Sequence, residues 1–255
     1  MTRLEKEFIL GFPVVTSDQE TCLANIESWI REGNHCKWSA CINPHSYAIA
    51  KNNSAFLQAL RDADWLIPDG WGIVLASKIL GGAIRTRITG SDLFAGIHDR
   101  LNIIGGSVFF LGATDSTLIA IQERMRIEYP SIRIAGAYSP PFKPAFDHQD
   151  TDAMVAAINS ATPDVLWVGM TSPKQDLWIY TNRGRLGVKF AAGVGAVFDF
   201  YTGRVKRSSP VFQKAGLEWL PRLIQEPRRL WRRMCMSAPI FLWDVLQERW
   251  RRGAN

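Results

Sequence analysis

Up to about Gly203, short apolar runs alternate with longer stretches whose apolar positions recur every three or four residues. The short runs predict strands over Lys37–Asn43, Trp65–Pro68, Ser107–Leu111, Ile132–Tyr138, Val165–Gly169 and Lys189–Gly193. The longer stretches predict helices over Ser46–Ala63, Trp71–Leu80, Ser91–Asn102, Asp115–Tyr129, Asp150–Ser160 and Pro173–Asn182. Strand–helix alternation predicts an α/β fold, a mostly parallel sheet covered by helices on both faces. In such sheets ligands sit beyond the carboxyl ends of the strands, so the candidate chemistry is sought there.

The strands end in loops of small and polar residues. The loops are Asn43-Pro44-His45-Ser46, Asp69-Gly70-Trp71-Gly72, Gly112-Ala113-Thr114-Asp115, the run from Gly169 to Gln175, and Gly193-Val194-Gly195-Ala196. Glycine permits close approach of backbone to ligand, and helix starts offer free N–H groups to phosphate. Five such loops at one edge favour a Rossmann-like, nucleotide-type site over a set of ordinary turns.

Beyond Gly203 the pattern changes. Prolines at 210, 221, 227 and 239 divide the sequence into short helical segments, each placed to suit a first turn. After Pro227, a helical projection gathers Leu230, Trp231, Met234 and Cys235 on one side and Arg228, Arg229, Arg232 and Arg233 roughly opposite. From Ile240 to Trp250 a second segment carries Phe241, Leu242, Trp243, Val245 and Leu246, and it closes on Arg249, Arg251 and Arg252. The expected organisation is therefore an α/β body over 1–203 and a basic, Trp-rich helical appendage over 204–255.

Charge sharpens that division. The chain has 255 residues and a net charge of +6, but residues 204–252 hold 12 Lys/Arg against 4 Asp/Glu. The body is left slightly acidic, and four of the ten tryptophans lie in the appendage. A solvated face, nucleic-acid binding and membrane-surface docking all use such a segment; its two-sided projection favours the membrane surface. At 47% hydrophobic and 21% charged, the composition excludes a disordered or collagenous chain. No apolar run reaches the roughly 18 residues of a spanning helix, and the first residues show no signal peptide. The four cysteines form no C-x-x-C pair, which suits a reducing compartment.

Asp69 stands out among the carboxylates. At a strand end it can take a proton from an attacking hydroxyl, or it can cap the helix that starts near Trp71. Arg85 and Arg87 precede a helix start, where guanidinium groups suit phosphate; the alternative is a solvated loop with a cap at Ser91 or Asp92. Thr171, Ser172, Lys174 and Gln175 bring hydroxyls, an ammonium and an amide to a first turn, which also reads as simple capping with Pro173 at its start. Two D-x-D triplets, Asp62-Ala63-Asp64 and Asp150-Thr151-Asp152, fall at helix ends and read as caps rather than metal ligands. The histidines lack ligand spacing. There is no Walker A, no G-x-S-x-G and no full dinucleotide fingerprint, since Phe198 stands where a third glycine would follow Gly193 and Gly195. Neither a metal nor a cofactor is expected.

The ordered blocks carry a resemblance. Asn43-Pro44, the run from Ala63 to Gly72, and Arg87-Ile88-Thr89-Gly90-Ser91-Asp92 are followed by Phe109–Ala113, Gly169–Gln175, Gly193–Phe200, Gly203–Arg207, Gly216–Leu220 and Gln225–Arg229. From about residue 40 to 235 this order resembles the WecG/TagA/CpsF glycosyltransferases. The resemblance implies inverting transfer of a hexose from a UDP-sugar to a polyprenyl-diphosphate-linked sugar, in surface-polysaccharide or cell-wall assembly. It implies Asp69 as general base, Arg87 as a diphosphate contact, and Asn43 and Gln175 as substrate-positioning groups. Asp199 becomes a nucleotide contact, and Arg222, Arg229 and Arg232 become appendage arginines that reach the active site. The implied partners are the UDP-sugar donor, the lipid-linked acceptor and an anionic membrane surface at the cytoplasmic face; a homo-oligomer is left open and no nucleic acid is expected. N-acetylmannosamine, its uronic acid and glucose all fit as the transferred sugar. One departure is Cys41, where the family often carries threonine. The rival readings are a nicotinamide-dependent oxidoreductase and a nucleic-acid-binding protein.

Overall fold

The computed structural model describes residues 4–205 and 236–253. Six parallel strands form the sheet: β3 (Lys37–Ile42), β4 (Trp65–Pro68), β5 (Ser107–Gly112), β6 (Arg133–Tyr138), β7 (Val165–Gly169) and β8 (Phe190–Gly193). Their spatial order is β4-β3-β8-β7-β5-β6. The α/β expectation holds, and the strand ends lie within a residue of those read from the sequence. The periodicity explains the layers. Leu166 and Val168 of β7 belong to one buried cluster, and Val165 and Trp167 to another, so alternate residues feed two cores and both faces are covered.

The helices of the body are α1 (Gln19–Glu32), α2 (Pro44–Ala50), α3 (Ser54–Arg61), α4 (Trp71–Leu80), α5 (Gly90–Ile104), α6 (Asp115–Glu128), α7 (His148–Ala161), α8 (Lys174–Asn182) and the short α9 (Val197–Tyr201). One helix expected over Ser46–Ala63 is instead two. The Asn53 side chain accepts a hydrogen bond from the Phe56 N–H at 3.0 Å and restarts the helix there, as a capping amide does. Ahead of the sheet lie two elements that the apolar pattern did not single out. β1 (Lys6–Ile9) and β2 (Phe12–Val15) form an antiparallel hairpin, and Asp18 caps α1 by accepting from the Thr21 N–H at 2.8 Å. The hairpin turn places both Leu10 and Gly11 at positive φ, +48° and +80°. That is the geometry of a two-residue hairpin without the usual Asn-Gly signal.

Near the C-terminus, α10 (Ala238–Gly253) packs on α2 and α4. Phe241 and Val245 are buried, and the Phe241 ring meets Tyr47 edge-on with centroids 5.2 Å apart. The Tyr47 hydroxyl and the Lys51 ammonium both donate to Asp244, at 2.7 and 2.6 Å, and His45 Nδ1 lies 3.0 Å from the Ser237 hydroxyl. Burial would raise the Asp244 carboxyl, but the Lys51 and Tyr47 hydrogen bonds hold it below its ordinary value. On the opposite side Ile240, Trp243, Leu246 and Trp250 are exposed, Trp250 at 86%. No helix among the described residues is long and apolar enough to cross a membrane.

Candidate active site

β4, β3, β8 and β7 are consecutive neighbours, so their carboxyl ends open side by side. The sequence turns this edge into a site because each of these strands ends in a polar or glycine-rich loop. At the end of β3, Asn43 caps α2, its Oδ1 accepting from the N–H groups of His45 and Ser46 at 3.0 and 2.9 Å. Its Nδ2 donates to Asp69 Oδ2 at 3.0 Å. The parallel register makes this pair, for Ile42 lies opposite Pro68 and the Asp69 N–H donates to the Ile42 carbonyl at 2.9 Å.

Asp69 is not the cap of α4. That position belongs to Gly70, at φ +90°, and it supplies no side-chain capping bond. The Asp69 carboxylate is thus held by an amide donor at the mouth of the edge and is half-buried. Such a group can accept a proton from a hydroxyl brought against it.

Arg87 lies on the segment that joins α4 to α5. The following residue, Ile88, donates its N–H to the Pro68 carbonyl at 2.9 Å, so this segment passes the end of β4 directly before Asp69. Arg87 is half-buried there. The cap expected at Ser91 or Asp92 is instead Thr89: Asp92 N–H donates to Thr89 Oγ1 at 3.2 Å, and Thr89 N–H donates to Asp92 Oδ2 at 2.9 Å. A β-carbon on Gly90 would lie 3.7 Å from the Val194 carbonyl, which sets the start of α5 against the loop after β8.

From the β7 side, Gln175 is buried in the first turn of α8 and its Oε1 accepts from the Gly195 N–H at 3.0 Å. A β-carbon at Gly193 would stand 2.7 Å from Gln175 Nε2 and 3.0 Å from Asp176 Oδ1, so any larger residue there would displace the Gln175 amide. Capping by Pro173 as a first helical residue is not what forms: Pro173 itself is the cap residue and gives no side-chain bond. Lys174 turns away, donating to the Lys143 carbonyl and lying 3.6 Å above the Phe146 ring. Asp199 sits half-buried in α9, and its carbonyl accepts from the Val205 N–H at 3.2 Å. Arg222, Arg229 and Arg232 lie outside the described residues.

The edge holds one group the sequence did not advertise. Asp176 is 3% exposed, and burial pushes its carboxyl up to about 6 against the pull of a hydrogen bond with Ser172. An acid in a first turn reads from sequence as a surface group favoured by the helix dipole, so its burial was not legible. Cys41, on β3, feels both sides of the site. Burial first, then the charges of Asp69, Asp176 and Asp92, raise its thiol well above the ordinary value, so it is a neutral thiol here.

Both D-x-D triplets fall at helix ends, as expected. Asp62 ends α3 and accepts from the Tyr180 hydroxyl at 2.6 Å, while Asp64 accepts from the Trp38 N–H at 3.0 Å, at the amino end of the sheet opposite Asp69. Asp150 lies in the first turn of α7, 2.7 Å from the Lys143 ammonium. Among the described residues no group of three or more His, Cys, Asp or Glu is arranged to hold a metal ion.

With this geometry in place, the chain can be compared with known proteins. The sequence model of the glycosyl transferase WecG/TagA/CpsF family matches residues 8–255. A Bacillus spizizenii protein named N-acetylglucosaminyldiphosphoundecaprenol N-acetyl-beta-D-mannosaminyltransferase is 32% identical, covering 91% of this chain and 88% of its own. Proteins with the same name from Bacillus subtilis and Staphylococcus aureus are 28% and 30% identical, covering 96% and 93% of this chain and 93% and 91% of their own.

Proposed function

The chain belongs to the WecG/TagA/CpsF glycosyltransferase family, and from that membership we propose that it is an inverting hexosyltransferase with a UDP-sugar donor and a polyprenyl-diphosphate-linked sugar acceptor. The observation that carries this reading is the Asn43–Asp69 pair at the carboxyl edge of β3 and β4. Asp69 takes the proton of the acceptor hydroxyl as that oxygen attacks the anomeric carbon of the donor. The new C–O bond forms as the bond to UDP breaks from the opposite face, so the configuration inverts in one displacement. Asn43 aims the carboxylate. Arg87 meets the charge that develops on the diphosphate. Gln175 lines the floor beside Gly193 and Gly195, and Asp199 contacts the nucleotide. Arg222, Arg229 and Arg232 complete the diphosphate contacts from the appendage.

The body, 1–203, performs the chemistry, and the appendage, 204–255, docks it on the inner face of the membrane. The exposed Ile240, Trp243, Leu246 and Trp250 stripe of α10 supports that placement, since apolar and Trp side chains beside arginines suit a headgroup boundary. The transfer needs no divalent cation on this reading, because the D-x-D carboxylates are engaged by the Tyr180 hydroxyl, the Trp38 N–H, Lys143 and Arg185. The relatives' name makes N-acetylmannosamine and a lipid-linked N-acetylglucosamine the first pair to try.

The test is to weigh the product formed from a panel of UDP-sugars and N-acetylglucosaminyl-diphosphoundecaprenol. A mass gain of one sugar residue from one UDP-sugar is expected. No gain with any UDP-sugar, together with thermal stabilisation by NAD(P)H or an oligonucleotide instead of UDP, would replace this reading with one of its rivals.

A further inference from the structure

Between α4 and α10 lies a cavity of about 140 Å³ lined only by apolar residues, among them Pro44, Gly72, Leu75, Ala76, Ala238 and Leu242. An apolar cavity of about 150 Å³ excludes water and accepts a ring of six carbons, so this one has room for an isoprene unit of five. Its position ties it to the site. Pro44 follows Asn43, and Gly72 stands in the first turn of α4, three residues after Asp69. Gly72 is pressed against Pro44, where a β-carbon would come within 2.5 Å of the ring, so the two walls meet at the end nearest the Asn43–Asp69 pair. At that same end the N-cap residue of α4, Gly70, gives no side-chain capping bond, which sets first-turn N–H groups and the positive end of a ten-residue helix beside an apolar slot.

We propose that this groove holds the first isoprene unit of the acceptor's lipid, with the diphosphate at the start of α4 and the sugar hydroxyl at Asp69. The proposal rests on the reading of the acceptor as a polyprenyl diphosphate and adds where its chain lies. Charge and polarity match the occupant along its length: N–H groups where the ligand is anionic, hydrocarbon where it is not. The far end of the groove continues outward. Leu75 and Leu242 are half-exposed, so the groove opens outward beside α10, where the rest of the chain can leave it. A sugar or nucleotide would find no hydrogen-bonding partner in this lining.

Calorimetric binding of farnesyl diphosphate and of inorganic diphosphate to the full chain tests the proposal. Farnesyl diphosphate should bind the native protein at least about tenfold more tightly than diphosphate, since each buried CH2 contributes. Leu75→Glu puts a charge into the groove from a half-exposed position, and Ala238→Phe fills it from the first turn of α10. Both should bring the ratio near one, whereas Trp243→Glu, on the outer face, should leave it intact. A ratio near one in the native protein, a ratio that survives both groove variants, or an equal loss in Trp243→Glu would overturn the proposal. These outcomes stand apart from the activity reading, which is tested by sugar transfer and not by prenyl binding.

Discussion

The Asn43 side chain caps α2 through its oxygen and holds Asp69 through its nitrogen, so a substitution can separate the two contributions. Asn43→Ser keeps a good capping oxygen and removes the donor to Asp69. Its unfolding free energy should stay within about 0.5 kcal/mol of the native value, while sugar transfer should fall by roughly tenfold or more. A loss of stability without a loss of transfer would make Asn43 a capping residue only. Asp176 gives a pH signature. Its folded carboxyl binds a proton more tightly than the unfolded one, so the stabilisation is complete below the ordinary carboxylate value and is lost as pH rises through about 6. Asp176→Asn removes that titration, and its stability relative to the native protein should climb by about 2 kcal/mol between about pH 4 and 7. Denaturant unfolding at the two pH values checks it; a difference that does not change with pH would show that Asp176 is not the buried acid. Asp69 could be singled out as a candidate because it follows an apolar run, whereas Asn43 and Gln175 became candidates through the family resemblance. Their contacts were not legible, because those depend on which strands become neighbours.

At the scale of elements, the parallel strands could be read because each is short, apolar and followed by a polar loop. The break between α2 and α3 was hidden by helical spacing that continues across it, and only the side chain of Asn53 restarts the helix. The hairpin of β1 and β2 went unread because Leu10 occupies a left-handed turn position that leucine seldom takes. For α10, the sequence offered a run of apolar residues that closes on arginines. The structure adds that Phe241 and Val245 are spent on the body while Trp243 and Trp250 are not. Replacing both exposed tryptophans by glutamate should therefore leave the fold intact and weaken co-sedimentation with anionic vesicles by about tenfold or more. Raising salt should weaken the binding of the native chain, as surface attraction is screened. Vesicle binding that is unchanged in the double variant would move the anchor elsewhere.

At the scale of the whole molecule, the sequence shows a slightly acidic body and a strongly basic C-terminal segment, and the sheet topology gathers four strand ends into one edge. The proposed transfer uses both, a cleft for a nucleotide-sugar and a cationic, apolar surface at a membrane. On the proposed reading, arginine and N–H groups stabilise the developing charge and no divalent cation takes part. Transfer should persist in EDTA, while Arg87→Ala should lower it by roughly a hundredfold or more; loss in EDTA that magnesium or manganese restores would return attention to Asp62 and Asp64. The central claim is that Asp69 is the base, and Asp69→Asn tests it most directly because it preserves size and removes the proton acceptor. With the sugar-transfer rate and UDP affinity measured on the same preparation, transfer should fall by roughly 10²–10⁴-fold and UDP affinity should change little. Native turnover in the Asp69→Asn protein would contradict the account.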